Sequence, residues 1–191
     1  MKEKRAFYVH PTAVVESPSI GRGTRIWAFA HVMKDARVGE HCNIGDHAFV
    51  ESGAQVGDYV VVKNGVMVWN GVTLRDGAFI GPGVVFTNDL RPRARRWPRL
   101  ALPDSTDVWL TPTIVEEGAS LGAGVIVVCG VTIGAFAMVG AGSVVTASIP
   151  AHGFGFGSPF RLRGYVCSCG SRVRRSPRPG TPCAHAARVG K

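Results

Sequence analysis

The chain has 191 residues, 46% of them hydrophobic, which is enough to bury one good core and leaves little for a second large domain. Its 25 glycines and few aromatics argue against long helices and for a mostly β chain with many tight corners. The net charge of +9 comes from arginines crowded into 91–99 and 161–188, so it belongs to a loop and a tail that suit phosphate-bearing ligands, and no nucleic-acid partner is expected.

The opening stretch MKEKRAFYVHPTAVVES turns polar before any apolar run develops, so no leader is expected and the cytoplasm is the expected compartment. There the five cysteines are thiols or metal ligands more readily than disulfides. From Ile20 to Phe86 an aliphatic or aromatic residue falls on every sixth position, as in Ile20, Ile26, Val32, Val38 and Ile44. Four positions after each stands a small or aliphatic residue, as in Thr24, Ala30, Ala36 and Cys42. The beat lapses after Phe86 and resumes from Val115 to Val145. Neither a helix nor a simple alternating strand has this period. It is the hexapeptide repeat of a parallel β-helix, in which three units make one coil and coils stack about 4.8 Å apart. The uncharged stretch 119–160 is long enough to imitate a membrane span, but the repeat explains it and no span is expected.

Positions one coil apart lie above one another. Asn70 and Asn88 are such a pair, with Trp69 and Thr87 beside them. The file His31, Phe49, Met67, Val85 and its neighbour ending in Val61 and Phe79 fall at nominally outward corner positions and read as an oligomer seam. Cys42 fills a small-residue slot of the core, whereas Cys129 is expected to point outward. His41 and His47 are six apart and His31 lies on another file, so no close histidine pair is expected to hold zinc as in β-helical carbonic anhydrases.

The stretch 87–114 leaves the coil beside the two asparagines. It carries Asp89, the arginines Arg91, Arg93, Arg95, Arg96 and Arg99, and Trp97 and Trp109, a composition suited to one wall of a site for an anionic, ring-bearing ligand. The plainer reading is a solvated flap. Asp89 is either a proton acceptor or a turn-forming residue. In the later coils, GASLGAGVIVVCGVTIGAFAMVGAGSVV offers Gly122, Gly140 and Ala141 as places for a pantetheine arm to approach the backbone, although many such glycines simply make corners. The tail, 165–191, brings Cys167, Cys169, Cys183 and His185, which could offer zinc three sulfurs and one nitrogen; the CxC and CxH spacings are unusual for such a site.

Over residues 8–164 the chain resembles the hexapeptide acyltransferases. Its segments IGRGTRIWAFAHVMKDARVGEHCNIGDHAFVESG, VVKNGVMVWNGVTLRDGAFIGPGVVFTNDLRPR and GVTIGAFAMVGAGSVV resemble the sugar-nucleotide N-acetyltransferases in particular. The resemblance implies a left-handed coil, a homotrimer and acetyl-CoA as co-substrate. It also implies acetyl transfer to the 3-amino group of a dTDP- or UDP-linked sugar, with Asn88 as the important asparagine. Asn70 stands where the family often has an acid. Trp69, Thr87, Asn70, Arg91 and Arg93 become candidate sugar-nucleotide contacts, and Asn88 and Asp89 the candidate catalytic pair. GSPFRLRG matches the family's turn near the CoA nucleotide at Gly157, Pro159 and Arg161 but departs at Ser158 and Phe160, making Arg161 and Arg163 candidate phosphate partners. Some relatives append a zinc-ribbon-like tail after a similar GYVC stretch. O-acetyl transfer to a saccharide and a non-catalytic scaffold for an anionic partner are the alternatives.

Overall fold

The structure is a computed structural model that describes residues 6–94, 109–178 and 183. Among the described residues every regular element is a strand, and no helix is long and apolar enough to cross a membrane. The strands stack into three parallel sheets that form the faces of a prism. The first face runs from Tyr8–Val9 up through Arg25–Ile26, Asn43–Ile44, Val61–Val62, Phe79–Ile80 and Ser120–Leu121 to Met138–Val139. The second holds His31–Val32, Phe49–Val50, Met67–Val68, Val85–Phe86 and Ile126–Val127, and the third Arg37–Val38, Gln55–Val56, Val72–Leu74, Thr113–Val115 and Thr132–Ile133. The architecture is that of a left-handed parallel β-helix of hexapeptide repeats.

The repeat dictates this arrangement because each unit buries two side chains and exposes the rest. Ile26, Val32, Ile44, Val50 and Leu74 are buried from solvent, and so are small partners such as Ala30, Ala54 and Ala78. Burying one such large aliphatic side chain is worth about 1.5–3 kcal/mol. Pairing is in register at the coil repeat, as in Met67 with Val85 and His31 with Phe49.

Several corners carry aromatic residues in the left-handed region, among them Phe29, His41, His47 and Tyr59 with φ of 54–57°. Such residues sit at a strained φ. Neighbouring coils supply the compensation: Phe29 stacks on His47 with centroids 4.9 Å apart, and His41 on Tyr59 at 5.1 Å.

At the interruption of the beat, Val72 pairs with Thr113 and Leu74 with Val115, so the coil resumes as if nothing had intervened. Exit and return are adjacent: Asp89 bridges Leu110, and the Thr111 N–H donates to the Asn88 carbonyl at 2.9 Å. Asn88 and Thr111 are therefore still tied to the coil, inside the interval 87–114 expected to leave it. Arg95, Arg96, Trp97 and Arg99 lie outside the described residues.

At the other end Gly153–Phe156 pairs parallel with Met138–Val139, and the chain then reverses. Arg161–Val166 and Arg172–Val173 add antiparallel strands to the first face, so the position chosen for the start of the tail, 165, falls inside a strand. Phe160 packs against the core at the open end of the prism, which accounts for a large apolar residue at that point of the turn.

Ile44→Ala is expected to cost about 2–5 kcal/mol in urea unfolding. For Tyr59→Gly, relief of a left-handed φ worth about 1–2 kcal/mol opposes loss of a ring stack worth about 0.5–1.5 kcal/mol. Its stability should therefore stay close to wild type, while Tyr59→Val, which keeps the strain and loses the stack, should be clearly less stable.

Candidate functional site

Asn88 lies at the corner between the second and third faces, directly after the buried Phe86. Its Nδ2 donates to the backbone carbonyl of Asn70 in the coil below, at 3.3 Å. That bond assigns the amide, because only the NH2 end can donate to a carbonyl, and it leaves Oδ1 free of that contact. The Asn70 N–H is itself held by Glu51 Oε2 at 2.7 Å. The Trp69 indole N–H donates to the Phe86 carbonyl at 3.0 Å, and its half-buried ring packs on Phe49 with centroids 5.6 Å apart. Thr87 Oγ1 accepts the Cys129 N–H at 3.0 Å. The structure thus brings Trp69, Asn70, Thr87 and Asn88 together at one corner.

Asp89 Oδ1 accepts the Arg91 N–H at 2.7 Å, the geometry of an Asx turn opening the insertion. Arg91 and Arg93 are exposed and form no ion pair among the described residues; Arg93 donates to the Pro92 carbonyl.

A second feature lies on the first face, across the prism from that corner. A cleft of about 380 Å³ is lined by Phe79, Gly122, Met138, Gly140, Ala141 and Phe154, together with Ser120, Leu121 and Val139. Gly122, Gly140 and Ala141, drawn from sequence as a place for a pantetheine arm, all border it. The glycines have a structural reason as well: a Cβ on Gly122 would meet the Ala141 amide nitrogen at 2.6 Å, and one on Gly140 the Phe156 Cβ at 2.8 Å. Arg161 and Arg163 are exposed on the hairpin strand after Phe160, with the Arg163 guanidinium 5.4 Å over the Phe156 ring.

The files read as corners are flat-face positions instead. Phe49, Met67, Val85 and Ile126 run up the second face, and Val61 and Phe79 up the first, where Phe79 enters the cleft. Met67, Val85, Ile126 and Phe79 are exposed. Cys129, expected outward, is buried, because Thr87 and the returning chain at Pro112 bond the backbone around it. His31 pairs with Glu16 at 3.0 Å, while His41 and His47 stack in different corner files.

Residues 17–52 match the family described as "Bacterial transferase hexapeptide (six repeats)". Residues 36–70 and 112–147 match "Hexapeptide repeat of succinyl-transferase", so the insertion lies outside both families' matches up to residue 111. The dTDP-3-amino-3,6-dideoxy-alpha-D-galactopyranose 3-N-acetyltransferase of Aneurinibacillus thermoaerophilus is 49% identical over 167 residues, covering 87% of this chain and 82% of that protein. The chain belongs to this family of hexapeptide-repeat sugar N-acetyltransferases. PerB from Caulobacter crescentus, solved in complex with CoA and GDP-perosamine, is 25% identical with a TM-score of 0.51. That match covers 83% of this chain, which spans 57% of the length of the PerB chain. The acetyltransferase domain of PglB from Neisseria gonorrhoeae, in complex with acetyl coenzyme A, shares the fold at 21% identity and a TM-score of 0.51, covering 82% of this chain and 57% of that one.

In this N-acetyltransferase family member the tail adds a third cluster. The sulfurs of Cys167, Cys169 and Cys183 lie within 4.8 Å of one another; His185 is outside the described residues. Contact with the Cys167 thiol, then with Ser171 and Cys183, holds the exposed Cys169 thiol down to about 6. Burial pushes the Cys42 thiol up. In protein stripped of metal by a chelator, Cys169 should therefore be alkylated ahead of Cys42, at a rate that falls as pH is lowered through about 6 and the thiolate is protonated. Peptide mass spectrometry would read this, with Cys42 and Cys129 modified only after unfolding.

Proposed function

We propose that the chain transfers acetyl from acetyl-CoA to the 3-amino group of a nucleotide-linked deoxyamino sugar, with a dTDP-linked 3-amino-3,6-dideoxyhexose favoured. The single observation that carries the nucleotide and sugar is the 49% identity to an enzyme named for that substrate, spread over most of both chains. Two structural features support the chemistry: an apolar cleft bordered by small residues, and an oriented carboxamide at Asn88.

A carboxamide has no useful pKa, so Asn88 orients rather than removes a proton. With Nδ2 held by the Asn70 carbonyl, Oδ1 can accept an N–H from the sugar amine and point its lone pair at the thioester carbon. The new C–N bond forms as the C–S bond breaks. The thiolate of CoA leaves and can itself take the proton lost by the amine, so no dedicated base is required. Asp89, engaged in its turn, serves better to shape the loop than as that base. Trp69 and Asn70 are proposed to face the sugar nucleotide and Arg91 and Arg93 its phosphates, with Thr87 fixing the corner between them. Arg161 and Arg163 are proposed partners of the CoA phosphates.

The corner and the cleft lie on opposite sides of one prism, so a single chain does not bring an amine held at Asn88 to a thioester held on the first face. Symmetry-related copies packed side by side would. We therefore propose a homotrimer whose sites lie between neighbours, with the exposed apolar files of the second face at the seam. Acetyl-CoA, a nucleotide sugar and reduced thiols are all consistent with the cytoplasm. The tail cysteines are proposed as zinc ligands.

Thiol release from acetyl-CoA should be measured against a panel of dTDP- and UDP-linked 3-amino and 3-hydroxy sugars. Turnover with a dTDP-linked 3-amino sugar is expected; acetylation of only the hydroxyl sugars would overturn the reading. Asn88→Ala should lower kcat by about 10²–10³-fold, in the range seen for loss of one oriented donor or acceptor, with the KM for acetyl-CoA little changed. Ala141→Trp should do the converse, raising that KM at least about tenfold by filling the cleft.

A further inference from the structure

We propose that Cys167, Cys169 and Cys183 bind a zinc ion that clamps the carboxyl-terminal hairpin against the first-face cleft, so that metal occupancy sets the affinity for acetyl-CoA. The coupling rests on the reading of that cleft as the acetyl-CoA site; the metal site does not.

The donors come from two segments. Cys167 and Cys169 stand in the tight turn joining the antiparallel strands Arg161–Val166 and Arg172–Val173. The Cys167 N–H donates to the Ser171 carbonyl and the Gly170 N–H to the Cys167 carbonyl, both at 2.9 Å. Gly170, at φ 82°, lets the backbone fold back immediately after the second cysteine. Cys183 arrives from further along the chain, with its sulfur 3.5 Å from that of Cys167. Cys167 and Cys169 have their sulfurs 2.7 Å apart, well beyond the roughly 2.05 Å of a disulfide bond. Zinc–sulfur bonds of about 2.3 Å in a tetrahedron place sulfurs about 3.8 Å from one another. The three sulfurs lie within 4.8 Å of one another, Cys183 at nearly the tetrahedral spacing from Cys167, so a metal would need only Cys167 and Cys169 to part by about 1 Å. Three thiolates are soft ligands that select zinc over magnesium or calcium.

The same turn touches the cleft. Gly170 lies against Met138, so closely that a Cβ there would come within 2.9 Å of the methionine methyl. Two residues on, the Arg172 guanidinium sits 5.1 Å over the Phe154 ring. Met138 and Phe154 both line the cleft. A metal that locks the turn therefore locks two side chains of the cleft wall, and ligand binding to a pre-ordered wall avoids the cost of ordering it.

The test uses the full chain, purified reduced and without chelator, with metal content measured by elemental analysis and the site probed by cobalt substitution. About one zinc per chain is expected, with a thiolate-to-cobalt charge-transfer band that Cys183→Ser abolishes. Cys183→Ser, and chelation of the wild type, should raise the KM for acetyl-CoA about tenfold while kcat at saturating acetyl-CoA is retained. Zinc should restore the KM of the chelated wild type but not that of the variant. A metal-free protein whose thiols bind neither zinc nor cobalt, or one with Cys167 and Cys169 joined as a disulfide, would overturn the site. Zinc bound with an unchanged KM would overturn the clamp. Zinc-loaded protein that binds no acetyl-CoA would overturn the cleft reading, and the coupling with it, while leaving the metal site standing.

Discussion

Each coil has to return to within one inter-strand spacing of the coil below, and the rest of the molecule follows from that requirement. Parallel backbone pairing supplies the vertical bonds, and the interior has room for only two apolar side chains per unit, the second of them small or β-branched. That is why Ile26, Ile44, Val62, Ile80 and Leu121 stack as one sealed file along the first face. It is also why Gly122 is a glycine, since the coil above leaves no space for a Cβ. The same stacking carries the corners past an unfavourable φ, by setting rings such as His41 and Tyr59 on one another.

A scaffold this regular offers chemistry only where it is interrupted or left bare. The insertion interrupts it at the corner after Phe86, and because Asp89 and Leu110 close the excursion at its base, Asn88 is held by coil bonds on both sides. The late coils leave it bare, where small residues open a cleft that the reversing hairpin borders through Phe154. In the proposed mechanism one region supplies orientation and the other a place for a long flexible co-substrate. Their separation around the prism makes assembly part of the proposed mechanism and not only of stability.

Much of the fold was legible because the period is a direct physical consequence of the coil. Every large inward residue named from the six-residue beat between Ile26 and Phe86 is buried, and the stack of Asn70 beneath Asn88 is the coil repeat itself. What the period does not encode was not legible. Cys129 is covered by the insertion's return near Pro112, a contact between segments whose spacing breaks the beat. The Phe49 and Phe79 files lie on flat faces because the residue just before each inward one continues the strand instead of turning. The antiparallel reversal after Phe156 abandons the repeat altogether, which hid the strand running through residue 165 and the turn that gathers the cysteines. The spacing of Gly170 and Arg172 after CxC was the available signal, but only the structure relates it to Met138 and Phe154.

The proposed mechanism depends most on the division of one site between two copies of the chain. Asn88→Ala and Ala141→Trp proteins, which at limiting acetyl-CoA should each keep no more than about 1% and about 10% of wild-type turnover on their own, can be unfolded together, refolded as mixed trimers and assayed. If one copy supplies the carboxamide and its neighbour the cleft, random mixing should restore about a quarter of the wild-type sites. A mixture no more active than the average of its two parents, despite mixed trimers being present by native mass spectrometry, would show that both halves belong to the same chain and contradict that division.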